Sequence, residues 1–70
     1  MKFAVLYEKT RNGYSAYVPD LPGCVAGGAM LEETAELIRG AIELHLETMR
    51  EDGDSVPEPT TIAGCVAVPA

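Results

Sequence analysis

Residues 31–52 read LEETAELIRGAIELHLETMRED, and this stretch decides the fold because it is the only long one with a helical period. Its apolar residues recur at helical spacing and predict one buried face: Leu31, Ala35, Ile38, Ile42, Leu46 and Met49. Further apolar residues widen that face on one side: Leu37, Ala41 and Leu44. The opposite face is charged: Glu32, Glu36, Arg39, Glu43, Glu47 and Arg50. We therefore predict a helix that stops before Gly53 and packs its broad apolar face on a sheet.

The residues before this helix predict three short antiparallel strands. Alternating side chains indicate strands at residues 2–9 and 14–18, joined by a tight turn in which Asn12-Gly13 supplies positive φ angles. Pro22-Gly23 fits the centre of a type II turn, which leads into a third strand at residues 24–27.

After the helix, the sequence predicts one more strand. Residues 54–59 form a proline-stiffened connector, and residues 60–68 are rich in the β-branched and small residues of a strand. The order is β-β-β-α-β, which predicts an α+β fold. We expect one domain over residues 1–70, with a small, mainly antiparallel sheet and one long helix packed on one face.

The tyrosines of the second strand predict a sheet that is apolar on both faces. Tyr14 and Tyr17 point in opposite directions, so one packs under the helix and the other lies on the second face with Ala4 and Leu6. Open apolar faces mark interfaces. We expect a homodimer or a higher homo-oligomer that uses this face or the edge strand at residues 60–68.

The start of the helix lacks a capping side chain. Met30 occupies the N-cap position and has no oxygen acceptor, although Glu33 stands where the acid of a capping box belongs. Loss of a good cap costs about 1 kcal/mol. We expect a looser helix start, or one held by another contact.

Charge excludes some partners and favours others. The net charge is −6, and the 5 basic residues do not cluster, which argues against direct nucleic-acid binding and favours a basic protein partner. No apolar run reaches the length of a signal-peptide core or a membrane span. We expect a soluble cytoplasmic protein in which Cys24 and Cys65 stay reduced.

No pattern of side chains predicts catalysis. A zinc site from His45, Cys24 and Cys65 would take its ligands from three separate elements, without the close ligand pairs usual in structural zinc sites. We interpret His45 as a half-buried or interface residue. Glu8 is the only acid in the strands, whereas a two-metal nuclease needs clustered carboxylates. We expect no enzymatic activity, no metal and no cofactor.

Residues 13–24 read GYSAYVPDLPGC, and after two glycines the helix opens with LEETA. Together with AIEL at 41–44 and PEP at 57–59, this pattern resembles the HicB family over nearly the whole chain. The resemblance implies a partial ribonuclease H-like fold in which the last strand lies beside the first. It also implies an antitoxin that covers the catalytic surface of HicA, a small basic mRNA-cleaving toxin.

The sequence departs from that family in two places. Many HicB-like proteins carry an additional C-terminal DNA-binding domain that represses their own operon, and we expect none within residues 1–70. The family usually enters the helix with Asp or Asn followed by Thr or Ser, whereas this chain has Ala29 and Met30.

Two features are candidates for contacting the partner. Glu43, Glu47 and Glu51 stack like charges on one helix face, which is either a solvated face or a docking ridge for a basic protein. The turn with Asp20 and Leu21 is either a plain tight turn or a contact loop.

The predicted partner-binding residues are therefore Tyr17, Asp20, Leu21, Glu43, Glu47 and Glu51. Two other functions stay open: an orphan structural or regulatory oligomer without a toxin, and a vestigial enzyme that uses Cys24, Cys65 or His45.

Overall fold

A computed structural model describes residues 1–70 of the chain. Three strands, β1 (Leu6–Lys9), β2 (Tyr14–Tyr17) and β3 (Val25–Gly28), precede one helix, α1 (Leu31–Glu51). The strands form a single antiparallel sheet in the order β1-β2-β3. The predicted α+β fold, with a small antiparallel sheet followed by one long helix, is confirmed.

The register of the sheet separates a core face from an open face. Tyr7, Ala16 and Ala26 lie opposite one another on the face that α1 covers. The core between the two layers is small: Ala16, Val18, Leu21, Cys24 and Ile38. Thr34 is buried with them, and its hydroxyl donates to the Met30 carbonyl at 2.8 Å, so no buried polar atom lacks a partner.

Both turns of the sheet form where the sequence predicts them, but one has a different geometry. Cys24 N–H donates to the Leu21 carbonyl at 3.0 Å, and Gly23 has φ 85°, which is the predicted type II turn. The predicted positive φ angles at Asn12 and Gly13 are wrong, since neither residue has one. Thr10 N–H donates to the Gly13 carbonyl at 2.8 Å instead, in a longer connection that needs no left-handed residue.

Hydrogen bonds from backbone amides stabilise both ends of α1. Met30 makes no capping hydrogen bond, as predicted, and Glu33 Oε1 reaches one residue further back to accept from Ala29 N–H at 2.8 Å. At the other end Gly53 has φ 75°, and the amides of Gly53 and Asp54 donate to Arg50 and Met49. This pair of bonds is a Schellman motif, so the predicted glycine stop is confirmed.

The two outer predicted strands are wrong in their extent. The first begins at Leu6 rather than at residue 2, and residues 60–68 form no strand. The resemblance implied that a last strand lies beside the first, and this is wrong, because no strand follows α1. A strand exists only where a ladder partner exists, and neither residues 1–5 nor residues 62–70 make any hydrogen bond. We call residues 60–70, all of them exposed, the C-terminal segment.

The structure contains no helix that combines the length and the apolar character needed to cross a membrane.

Candidate partner-binding surface

One flank of α1 keeps apolar side chains in contact with water. α1 packs on β2 and β3 and buries Ile38, whereas Leu37 and Leu44 are 48% and 65% exposed. The sequence predicted that both leucines would widen the buried face, and this is wrong because the face is broader than the sheet beneath it. Seven residues separate the two leucines, so they lie on one line along the helix.

A groove of about 500 Å³ lies beside this flank, between α1 and the start of β3. Cys24, Leu44 and His45 are among its lining residues, and Asp52 and Asp54 line it where α1 ends. The groove is therefore apolar along part of its lining and has two carboxylates at the C-terminal end of α1, which is the negative end of the helix dipole.

The acidic residues of this flank make no ion pair. Glu47 and Glu51 are exposed and lie three and seven positions after Leu44, on the same side of α1. The single ion pair of the structure joins Arg39 Nε to Glu43 Oε1 at 3.4 Å. We call Leu37, Leu44, Glu47 and Glu51 the leucine–acid flank; its two carboxylates make no ion pair.

The predicted site residues do not form one surface. Glu43, Glu47 and Glu51 lie on the exposed side of α1, but Glu43 is paired with Arg39 and borders a different groove from Leu44. Leu21 is only 1% exposed and belongs to the core, so its side chain supports the turn.

Tyr17 lies on the opposite layer of the molecule. It stands between Leu6 and Val25 in the register, and all three side chains are exposed on the open face of the sheet. The prediction that one tyrosine of this strand lies on the second face with Leu6 is confirmed, and that tyrosine is Tyr17. The sequence did not single out Val25, although its position after the Pro-Gly turn could have placed it there.

Asp20 binds the chain's own C-terminal segment. Its carboxylate accepts from the amides of Thr60 and Thr61 at 3.0 Å each and from their hydroxyls at 3.3 and 2.8 Å. These bonds, led by the one from the Thr61 amide, lower the pKa of Asp20 below its ordinary value. Since the carboxylate already has these partners, its first role is to position residues 60 and 61.

The cysteines and the histidine do not assemble into a reactive centre. Cys24 and His45 line the same groove, while Cys65 is exposed in the C-terminal segment, and no three potential ligands lie close enough to hold a metal. Burial raises the pKa of the Cys24 thiol. A thiol that stays protonated is a poor nucleophile.

Comparison with known proteins gives a family and several relatives. A family described as "HicB_like antitoxin of bacterial toxin-antitoxin system" matches residues 3–70. The chain is similar to the "Uncharacterized 14.9 kDa protein in rep-hol intergenic region" of Haemophilus phage HP1, with 37% identity over 62 residues, 89% of this chain and 47% of the phage protein.

Two cellular relatives are each named "UPF0150 protein". The one from Archaeoglobus fulgidus is 44% identical over 59 residues, which is 80% of this chain and 86% of that protein. The one from Helicobacter pylori is 44% identical over 52 residues, 74% of this chain and 72% of that protein. The chain thus spans about half the length of the phage relative and most of the length of the archaeal one.

Proposed function

Because the chain belongs to the HicB-like antitoxin family of bacterial toxin–antitoxin systems, we propose that it binds and neutralises a small basic mRNA-cleaving toxin of the HicA type. The family match over residues 3–70 is the observation that carries this proposal. The net charge of −6 supports it, since an acidic protein is attracted to a basic one and repelled by RNA.

The leucine–acid flank is the surface that fits such a toxin best. Exposed Leu37 and Leu44 offer the apolar centre that a stable interface needs, and Glu47 and Glu51 offer unpaired charge along its border. Glu43 belongs to the predicted ridge but already has Arg39 as its partner, so we expect it to contribute less than Glu47.

Neutralisation follows from competition for the same positive surface. A ribonuclease binds RNA phosphates through basic side chains, and the carboxylates of the flank would occupy those side chains in place of phosphate. Burial of the leucines would then keep the complex together, because rim charges act mainly on the association rate and apolar anchors on the dissociation rate. The protein works by occupying the toxin, without a chemical step of its own.

The first test is calorimetry and an RNA-cleavage assay with purified HicA-type toxin of the host. We expect a stoichiometric complex that stops cleavage. We expect Leu44→Ala to weaken binding roughly tenfold or more, because a central apolar anchor is lost. Leu6→Ala, a matched change on the open sheet face, should alter affinity by less than about threefold. Equal affinity of both variants would move the contact away from the flank, and the absence of any complex would contradict the antitoxin function.

We also propose that the protein is cytoplasmic, where its mRNA-cleaving target would act, and that it self-associates. The exposed row of Leu6, Tyr17 and Val25 and the exposed C-terminal segment support self-association. The same features favour the second candidate function, an orphan structural or regulatory oligomer. That candidate predicts a homo-oligomer that leaves toxin activity unchanged.

A further inference from the structure

We infer that two copies of this chain exchange their C-terminal segments, each segment adding a strand to the β1 edge of the other copy and covering the apolar groove beside it. This rests on the proposed self-association and gives it a defined contact. The occupant of the β1 edge is thus residues 62–68 of a second copy.

The chain exposes more surface than a folded monomer of its mass. Its accessible area is 5402 Å², against about 4,200 Å² for a monomer of 7.4 kDa. Its radius of gyration is 13.7 Å, against about 11 Å for a compact domain of this length. The excess of roughly 1,200 Å² is ample for a standard interface, which takes about 800 Å² per partner.

Two stretches with strand-like sequences lack backbone hydrogen-bond partners. The free N–H and C=O groups of each are the partners that the other needs to form a strand pair. Residues 1–5 continue β1 beyond the end of its pairing with β2, and residues 62–70 follow the last contact with Asp20. Neither stretch makes a hydrogen bond within the chain. Edge strands with open N–H and C=O groups are templates for strand addition.

The side chains of the C-terminal segment match a groove at the β1 edge. A groove of about 410 Å³ lies between residues 1–7 and α1, and Phe3, Val5, Ile42 and Leu46 are among the residues that line it. In a strand, Ile62, Val66 and Val68 fall on one face, and the opposite face carries the small side chains of Ala63, Cys65 and Ala67. The face with the large apolar residues fits the groove, and the face with small residues fits the solvent side.

The contacts of the segment favour a second copy as its source. Asp20 holds Thr60 and Thr61 with four hydrogen bonds, and every residue after them is exposed, so the segment does not cover the groove of its own chain. The molecule is 48 Å long, and α1 with 21 residues accounts for only about 31 Å of this length. Other parts of the chain therefore extend beyond the helix. Exchange between two copies is reciprocal, so a twofold dimer pairs both segments and both β1 edges at once.

The test uses the full chain and two matched charge variants. Sedimentation equilibrium should give a species of twice 7.4 kDa. We expect Val66→Lys to raise the dimer dissociation constant roughly 100-fold or more, because it places a charge against the apolar side chains that form most of the groove. Ala63→Lys adds the same charge on the solvent face of the segment and should change the constant by less than about threefold. Val66 is 87% exposed in the single chain, so the substitution leaves the fold of the monomer intact.

A second measurement identifies which chain supplies the segment. In a sample that mixes isotope-labelled and unlabelled chains, we expect filtered NMR contacts between Val66 methyls of one copy and Phe3 or Val5 of the other. Contacts within one chain would overturn the exchange. A dimer that Val66→Lys does not weaken would overturn it too, while self-association would stand. A monomer at every concentration would overturn both, whereas the antitoxin proposal depends on the separate toxin assay.

Discussion

The body of the molecule, β1 to α1, and the C-terminal segment both contain β-branched apolar residues, but these are buried in the body and exposed in the segment. In the body, Ile38 is 2% exposed between sheet and helix; in the segment, Ile62 is 92% exposed and makes no hydrogen bond. Both regions carry the β-branched residues that favour strands or cores. The difference shows that an apolar side chain is buried only where another element of the chain packs against it, as the sheet packs against α1.

Substituting the same residue type in the two regions gives the largest expected contrast. Ile38→Ala removes buried methyl groups from a small core, so we expect the free energy of unfolding to fall by about 2–5 kcal/mol at any protein concentration. Ile62→Ala removes methyl groups that the single chain does not bury. Urea unfolding, followed by circular dichroism over a range of protein concentrations, measures both.

The effects of the two substitutions on stability should also differ in their dependence on protein concentration. Ile62→Ala should have little effect in dilute solution and a growing effect as the dimer forms, because a contact between chains stabilises in proportion to the logarithm of chain concentration. If Ile62→Ala destabilised the dilute protein as much as Ile38→Ala, the segment would be part of the body and the contrast would fail.

Glycines test how tightly the body is packed where two backbones meet. A Cβ at Gly13 would clash with the Gly28 carbonyl oxygen and lie 2.8 Å from Ala29 Cα, and backbone atoms cannot move aside cheaply. We expect Gly13→Ala to destabilise by about 1–3 kcal/mol, as overpacked sites do. Gly40 lies in the interior of α1, and a Cβ there would meet nothing within 4 Å. Gly40→Ala should therefore stabilise by about 0.5–1 kcal/mol.

Thermal unfolding of both variants checks the sign of each change. A Gly13→Ala protein as stable as the parent would mean that the strand–helix junction has room to relax. The clash with Gly28 should also loosen the helix start, which faster amide exchange at Ala29 and Thr34 would show, because these N–H groups donate to Glu33 Oε1 and to the Met30 carbonyl.

Local periodicity predicted most of the body, because its signals come from neighbouring residues. The i, i+3, i+4 pattern gave α1, Pro22-Gly23 gave the turn, and Gly53 gave the helix stop. The ends of the sheet could not be predicted in this way. Residues 2–5 and 60–68 have good strand sequences, but whether they pair depends on which other chain segment is nearby, and one sequence does not record that.

The candidate surface was harder to predict than the fold for a similar reason. Helical spacing placed Glu47 and Glu51 on the exposed side, but it could not say that Leu37 and Leu44 would be uncovered, because that depends on the width of the sheet below. Leu21 and Asp20 were expected to face a partner because they lie in a turn. Leu21 is instead buried, and Asp20 binds residues 60 and 61.

The smallest predicted effect concerns the link between the two regions. Hydrogen bonds from Thr61 and Thr60 lower the pKa of Asp20 below its ordinary value of 3.8, so they favour the carboxylate. The stabilisation that these bonds provide is therefore complete above that value and is lost as the pH falls through the lowered pKa. We expect the NMR signals of the Thr60 and Thr61 amides to be constant at neutral pH and to shift only in strong acid.

Asp20→Asn isolates this contact, because an amide keeps an acceptor oxygen but has no charge and does not titrate with acid. The acid-dependent shift of both threonine amides should disappear, and the dimer should weaken by only a few-fold, since Ile62 and Val66 remain to fill the groove. Asp54→Asn removes an equal charge from a carboxylate without such bonds and should leave both amides unchanged. If Asp20→Asn changed the NMR signal of neither threonine amide, the partner chain alone would position the segment. The part of the chain that its own contacts hold in place would then end at the Schellman motif of α1.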